Sequence, residues 1–220
     1  VPSLFTFNIA DPRLQDLSGL SVENVSVQIP STKLKAQGPL LITHWGLSGP
    51  AILKLSAWGA RELASLDYQF DLSINWCPTF KPEALLNHLQ SFRTSEPRKQ
   101  INTFCPVDLP QRLWERLLAH TALAPTTPWA HLSNPALQTL THALQQSNFA
   151  VRGKSTYKDE FVTCGGVKLS EINFQTMESR LCPHVYFAGE VIDVDGITGG
   201  FNFQNAWTTG YLAGQALSDA

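Results

Sequence analysis

The sequence predicts a chain of mixed α and β structure, of the α+β kind, and three observations carry that reading. From Leu4 to about Ile74, short apolar runs alternate with polar or turn residues. Between residues 82 and 149, leucines recur at helical spacing between proline-rich breaks. Residues 185–216 then read as strand, acidic turn, glycine pair and helix in one run. With 220 residues and 43% hydrophobic content, the chain can bury a core and is expected to form one or two domains.

The runs LFTFNI, LSVENVSVQI, GPLLIT and LDYQFDLSINW read as strands of an antiparallel sheet or small barrel. One helix interrupts them: Ser48 suits an N-cap, Pro50 a first turn, and Ile52, Leu53, Leu55 and Leu63 an apolar face. After Pro78 and Pro82 the period changes. Leu85, Leu86, Leu89 and Phe92 define one helix. Leu113, Leu117 and Leu118 define a second beginning near Leu109-Pro110, and Leu137, Leu140 and Leu144 a third after Asn134-Pro135. Together they imply a helical subdomain. Strand patterning returns at Val151 to Tyr157 and again at 161–167, ending in Gly165-Gly166.

A net charge of −2 and a pI near 6.3 exclude a general basic field that would hold nucleic acid or membrane. A local patch remains open, since Arg93, Arg98, Lys99, Arg112 and Arg116 gather on the helical segment. Such a run is commonly a solvated face; the alternative is a surface that docks RNA through its phosphates. Cys77, Cys105, Cys164 and Cys182 match neither a zinc-ligand spacing nor C-x-x-C, so no metal site is expected. Reduced thiols in a cytoplasmic protein are the plain reading, and no apolar run is long enough to cross a membrane as a helix.

The run from 185 to 216 is the most informative. Val185 to Ala188 read as a short strand closed by Gly189-Glu190, which places a carboxylate at the strand's carboxyl end, where open α/β sheets bind ligands. Asp193, Asp195 and Gly196 turn the chain, Gly199-Gly200 removes two side chains, and helical spacing follows from Phe201. Two glycines before a helix usually mark only a tight turn. Coupled to Glu190, Asp193 and Asn202, they read as cofactor contacts, with the unpaired amides of the helix start facing the ligand. Thr43-His44 precedes a glycine-bounded turn. A histidine there most often satisfies a local hydrogen bond, and otherwise positions substrate or donates a proton. Neither Cys164 nor Cys77 has an adjacent base in sequence, which speaks against a catalytic thiol.

Three blocks in order, GPLLITHWGLSGPAILKLS at 38–56, FVTCGGVKLSEINFQTMESR at 161–180 and VYFAGEVIDVDGITGGFNFQNAW at 185–207, resemble the BaiN-like, HI0933-type (YhiN-like) NAD(P)/FAD-dependent flavoproteins. The resemblance implies an inserted substrate-side domain over residues 1–155, with a β-barrel from 1–77 and 150–158 and helices from 78–149. Residues 156–220 would then be the carboxyl-terminal segment of a glutathione-reductase-like FAD domain. It further implies that Glu190 binds the ribityl chain and that Gly189, Asp193 and Gly199, Gly200, Phe201 and Asn202 lie beside the flavin. The chain has no G-x-G-x-x-G turn, begins at Val1 and holds its single methionine at Met177. We therefore expect it to be the carboxyl-terminal part of a longer protein, lacking the amino-terminal FAD-binding half and inactive alone. The resemblance implies NAD(P)H as electron donor and an activated C=C bond as acceptor. Some relatives are thought to reduce uridine in ribosomal RNA and others steroid-like enones. A non-catalytic binding module on the same fold is the alternative from another class.

Overall fold

The computed structural model describes residues 1–155, 162–197 and 200–219. Its centre is a six-stranded antiparallel sheet in the order β2-β5-β4-β3-β6-β7. The strands are β2 (Phe7–Asn8), β3 (Ser21–Gln28), β4 (Lys35–Ile42), β5 (Gly46–Ser48), β6 (Gln69–Asn75) and β7 (Ser147–Arg152), and β1 (Pro2–Ser3) lies outside this sheet. Burial alternates along β7 and much of β3, as one buried face requires. Register is fixed by pairs such as Val27 with Ala36 on one side and with Ile74 on the other. The two edge strands meet: Asn8 N–H donates to Gly153 O at 3.0 Å, and Phe7 bridges Lys154. The sheet is thereby nearly closed into a barrel, which leaves little free edge.

Helix α1 (Pro50–Trp58) lies against β4 and places Ala51, Ile52 and Leu55 in the core. The expected N-cap, Ser48, is instead the last residue of β5, and Gly49 caps the helix at φ 92°. A Cβ at Gly49 would come within 2.8 Å of Leu41 N, so the strand-to-helix turn excludes a side chain there. Gly59 breaks the helix, and Leu63 belongs to a second one, α2 (Ala60–Ser65).

Three further helices, α3 (Pro82–Ser95), α4 (Gln111–Ala119) and α5 (Asn134–Gln145), occupy the stretch where leucine spacing predicts them. Their buried leucines, among them Leu137, Leu140 and Leu144 at 0% exposure, contribute about 1.5–3 kcal/mol each relative to exposed side chains. These helices and the barrel share one apolar core that runs from Phe5 to Val151. Buried indoles are satisfied on each side of it: Trp76 Nε1 donates to Ser147 Oγ at the start of β7 at 2.9 Å, and Trp114 Nε1 of α4 donates to Ile101 O at 2.8 Å. β7 begins at Ser147, inside the stretch expected to be helical, because its residues pair with β6 from Ile74 back to Gln69. The expected strand residues 156–158 and the boundary at 155–156 touch 156–161, which lie outside the described residues.

A second, smaller core consists of Ile172, Met177, Ile192 and Ala213. It joins the hairpin of β9 (Ile172–Asn173) and β10 (Glu178–Ser179) to the long final helix α6 (Phe201–Ser218). Met177, at φ 62° and fully buried, fills the hairpin turn. Two sequence expectations fail here. Val185–Ala188 is not a strand: Tyr186 makes one bridge to Glu178, and Phe187 N–H reaches Met177 O at 2.9 Å. Among the described residues no strand flanks the run on its other side, so no ladder extends it. Of 161–167, residue 161 lies outside the described residues, and among 162–167 only β8 (Val162–Thr163) is a strand, paired with β1; Gly165 at φ 105° turns the chain away.

Candidate functional site

The site is built around the start of α6. Gly200 occupies the cap position at φ 88° with no capping side chain, so the first-turn amides have no partner within the helix. Asn202 turns back instead: its Oδ1 accepts from Gly196 N–H at 2.8 Å and its Nδ2 donates to Gly196 O at 3.0 Å, which fixes the 193–197 loop. On the other side Gly189 opens a single 3-10 turn, Gly189–Val191. Its N–H donates to Thr209 Oγ1 at 2.9 Å, and Thr209 donates in turn to Asn205 O. Glu190 follows, exposed, with Oε1 accepting from Thr163 N–H at 2.8 Å.

These residues line a groove of about 420 Å³ bounded by Leu4, Val162, Glu190, Gly200, Asn202 and Asn205. Beside it, sharing Val194, Ile197 and Asn202, lies a larger cleft of about 720 Å³. One wall of that cleft is the α1–α2 elbow with Trp58 and Arg61; the other carries Cys164, Asp195 and Phe201. Arg61 spans the two walls. Its Nη2 donates to both oxygens of Asp193 at 3.0 Å, and its Nε lies 3.5 Å from Cys164 Sγ. These bonds, first to Cys164 and then to Asp193, raise the guanidinium pKa above its ordinary value, so it stays charged.

Among the sequence-predicted residues, the structure brings Glu190, Gly200 and Asn202 to the groove, Phe201 and Asn202 to the cleft, and Gly189 to the turn beneath them. Asp193 is held by Arg61. Gly199 lies outside the described residues. Thr43 and His44 sit in the β4–β5 turn, where Thr43 N–H donates to Gly46 O. His44 lines separate clefts with Asn8, Trp45 and Arg152, and with Thr43 and Asp11, which have no residue in common with the groove at Glu190. Of the five cations on the helical segment, four are engaged within the chain: Arg93 with Asn134, Lys99 with Glu96, and Arg112 and Arg116 with Asp16. Sequence reasoning missed Trp58 and Arg61, whose one signal is the Gly59 break that turns their segment toward the carboxyl-terminal residues. Cys164 gains from Arg61 the polar partner that its sequence neighbours lack. Among the described residues no group of three metal-ligating side chains exists, and no helix is long and apolar enough to cross a membrane.

Comparison with known proteins places this geometry in a class. The family description "HI0933-like protein barrel and H2TH domain" matches residues 1–162. Two relatives named ribosomal RNA dihydrouridine synthase are similar along 97% of this chain. The protein from Escherichia coli K12 is 34% identical over 220 residues and that from Haemophilus influenzae Rd is 31% identical over 215 residues. A 3-dehydro-bile acid delta(4,6)-reductase from Clostridium scindens is 25% identical over 221 residues, covering 100% of this chain. The chain spans about half the length of these curated relatives, 51%, 50% and 54% respectively. The chain belongs to the HI0933-like protein family, whose barrel and H2TH domain it carries over residues 1–162.

Proposed function

We propose that the protein of which this chain is part is an FAD-dependent reductase that uses NAD(P)H to reduce an activated C=C bond. The observation that carries this is the adjacency of the groove at Glu190 and the cleft at Arg61, which share Asn202, so that a cofactor in the one would lie against an acceptor in the other. The residues present fit the isoalloxazine and ribityl end of FAD. Glu190 offers a carboxylate to ribityl hydroxyls, Gly200 leaves open space where a Cβ would stand, and the uncapped start of α6 offers amides and a positive dipole end. Bound FAD would supply hydride carriage between NAD(P)H and the acceptor. The chain's own residues bind and orient: Glu190 holds the sugar-alcohol chain, and Thr209 and Asn202 fix the loops on either side.

From Phe203, which lines the groove, α6 continues as an exposed stripe of Phe203, Trp207 and Tyr211 at 69%, 70% and 65%, with the first two rings stacked at 6.1 Å. An apolar stripe of this kind is an interaction surface, and the rest of the FAD domain is its proposed cover. The four free thiols favour the cytoplasm as the compartment.

Uridine in ribosomal RNA is the acceptor favoured by the names of the two relatives above 30% identity. A steroid-like enone is the alternative favoured by the third. The test is the visible spectrum of the full-length protein and its bleaching by NADH and NADPH, followed by reoxidation with uridine-containing RNA or an enone. Yellow protein that bleaches supports the reading; colourless protein would leave a binding module on an inherited fold.

A further inference from the structure

We propose that Arg61 is the group that grips the carbonyl oxygen of the acceptor, and that the cleft between the α1–α2 elbow and the 193–197 loop takes a planar α,β-unsaturated carbonyl compound. The proposal rests on the flavin reading above and adds the acceptor's chemistry to it. Two of the three guanidinium nitrogens are fixed, Nη2 by Asp193 and Nε by Cys164. The third, Nη1, makes no hydrogen bond among the described residues, and the side chain is 66% exposed on the cleft wall. A guanidinium anchored on two nitrogens is already oriented for a ligand on the third, so little side-chain freedom is lost on binding.

The rest of the cleft suits a flat ring. Trp58 and Phe201 line it with rings 71% and 62% exposed, and a volume of about 720 Å³ is within the range of small-molecule sites. Asn202 links this wall to the groove at Glu190.

The chemistry asks for a cation at this place. Reduction of a C=C bond conjugated to a carbonyl adds a hydride to the β-carbon, and the π electrons move onto the carbonyl oxygen as an enolate. The enolate then takes a proton from solvent at the α-carbon. The acceptor gains two electrons and two protons in all, one hydrogen as the hydride and one as the solvent proton, its C=O group is restored, and the reduced cofactor that supplied the hydride, recharged by NAD(P)H, is oxidised in return. A fixed donor at the oxygen is worth most when charge develops there. Uracil and a 3-keto-4-ene steroid share this conjugated carbonyl, so one arginine serves either source.

The experiment uses the full-length protein as wild type, Arg61→Gln and Arg61→Lys. Flavin content and the rate of bleaching by NAD(P)H are measured first, then anaerobic reoxidation by uridine-containing RNA and by a 3-keto-4-ene steroid. Spectral titration of the oxidised protein with uridine 5′-monophosphate and with the steroid reads binding without turnover. The expected result is normal flavin and bleaching in Arg61→Gln, with reoxidation by the true acceptor down about 100-fold and its binding weakened about tenfold, and partial recovery in Arg61→Lys. The arm that responds identifies the source of the carbonyl. Reoxidation and binding in Arg61→Gln within threefold of wild type, or flavin loss in both variants, overturns the proposal while leaving the flavin reading intact. A colourless wild type overturns the flavin reading and this one with it.

Discussion

The guanidinium carbon of Arg13 lies 3.9 Å above the ring centroid of Phe149. The same head group grips Asp11 through Nε and Nη2, at 2.9 Å and 2.7 Å, and Nη2 also reaches Asn148 O at 2.5 Å. The loop after β2 is thereby pinned to β7, the strand that closes the barrel from the other side. Phe149 also packs edge-on against Trp76, so the clamp at the surface continues into the core.

This clamp makes part of the acid stability a property of one carboxylate. Burial works to raise the Asp11 pKa, but the side-chain and backbone hydrogen bonds from Arg13, with the charges of Arg13 and His120, hold it below its ordinary value. A depressed folded pKa stabilises above the unfolded value of 3.8 and loses that contribution as pH falls through the folded value. Asp11→Asn should lower the urea midpoint at pH 7 and converge with wild type once the pH falls below the depressed folded value. Arg13→Ala should cost about 2 kcal/mol at pH 7, through the lost ring contact and charged hydrogen bonds.

Thiol chemistry should divide the cysteines. Burial first, then Cys105 and Asp108, pushes Cys77 up to about 12; burial chiefly pushes Cys105 to about 11. Both are therefore protonated and shielded at pH 8. Alkylation of the native chain with iodoacetamide at that pH, read by peptide mass, should label Cys182 and then Cys164, and should reach Cys77 and Cys105 only on unfolding. Early labelling of Cys77 would contradict the packing of Trp76 and Cys77 against the helices.

Gly46 joins β5 to β2 so tightly that a Cβ would stand 2.2 Å from Phe7 O, and its φ is 149°. Gly46→Ala should cost more than the roughly 1–2 kcal/mol of backbone strain alone, because β2 must move. A drop in thermal midpoint of only a degree would show that β2 is looser than the register of Asn8 with Gly46 requires.

Glu190→Ala in the full-length protein should reduce bound flavin per chain, measured by absorbance after gel filtration. Glu190→Gln should retain more, since an amide oxygen still accepts from Thr163 N–H and from hydroxyl groups. Unchanged flavin content in Glu190→Ala would remove this residue from the site.

The helices were legible because Leu85, Leu89, Leu113, Leu117, Leu137, Leu140 and Leu144 bury at intervals of three and four, and prolines mark each start. The barrel strands were legible as alternation, although their closure through Asn8 and Gly153 depends on a contact between distant segments that no local pattern records. Val185–Ala188 misled because apolar β-formers signal a strand only when a neighbour completes the ladder, and here Tyr186 finds one bridge. The site divided the same way. Glu190, Gly200 and Asn202 lie in one continuous run and could be read together. Arg61 is 132 residues from Asp193 and meets it only through the fold.

The two walls of the cleft at Arg61 stand before two separate apolar clusters, one from Phe5 to Val151 and the other around Met177. Substitutions at the α1–α2 elbow can therefore reshape the acceptor wall without disturbing the packing behind Glu190 and Gly200. On the function proposed above, a frame so divided can exchange one substrate for another by altering a handful of side chains around Trp58 while the residues proposed for the flavin stay in place. That is a physical route by which relatives named for an RNA modification and for a bile acid share one architecture.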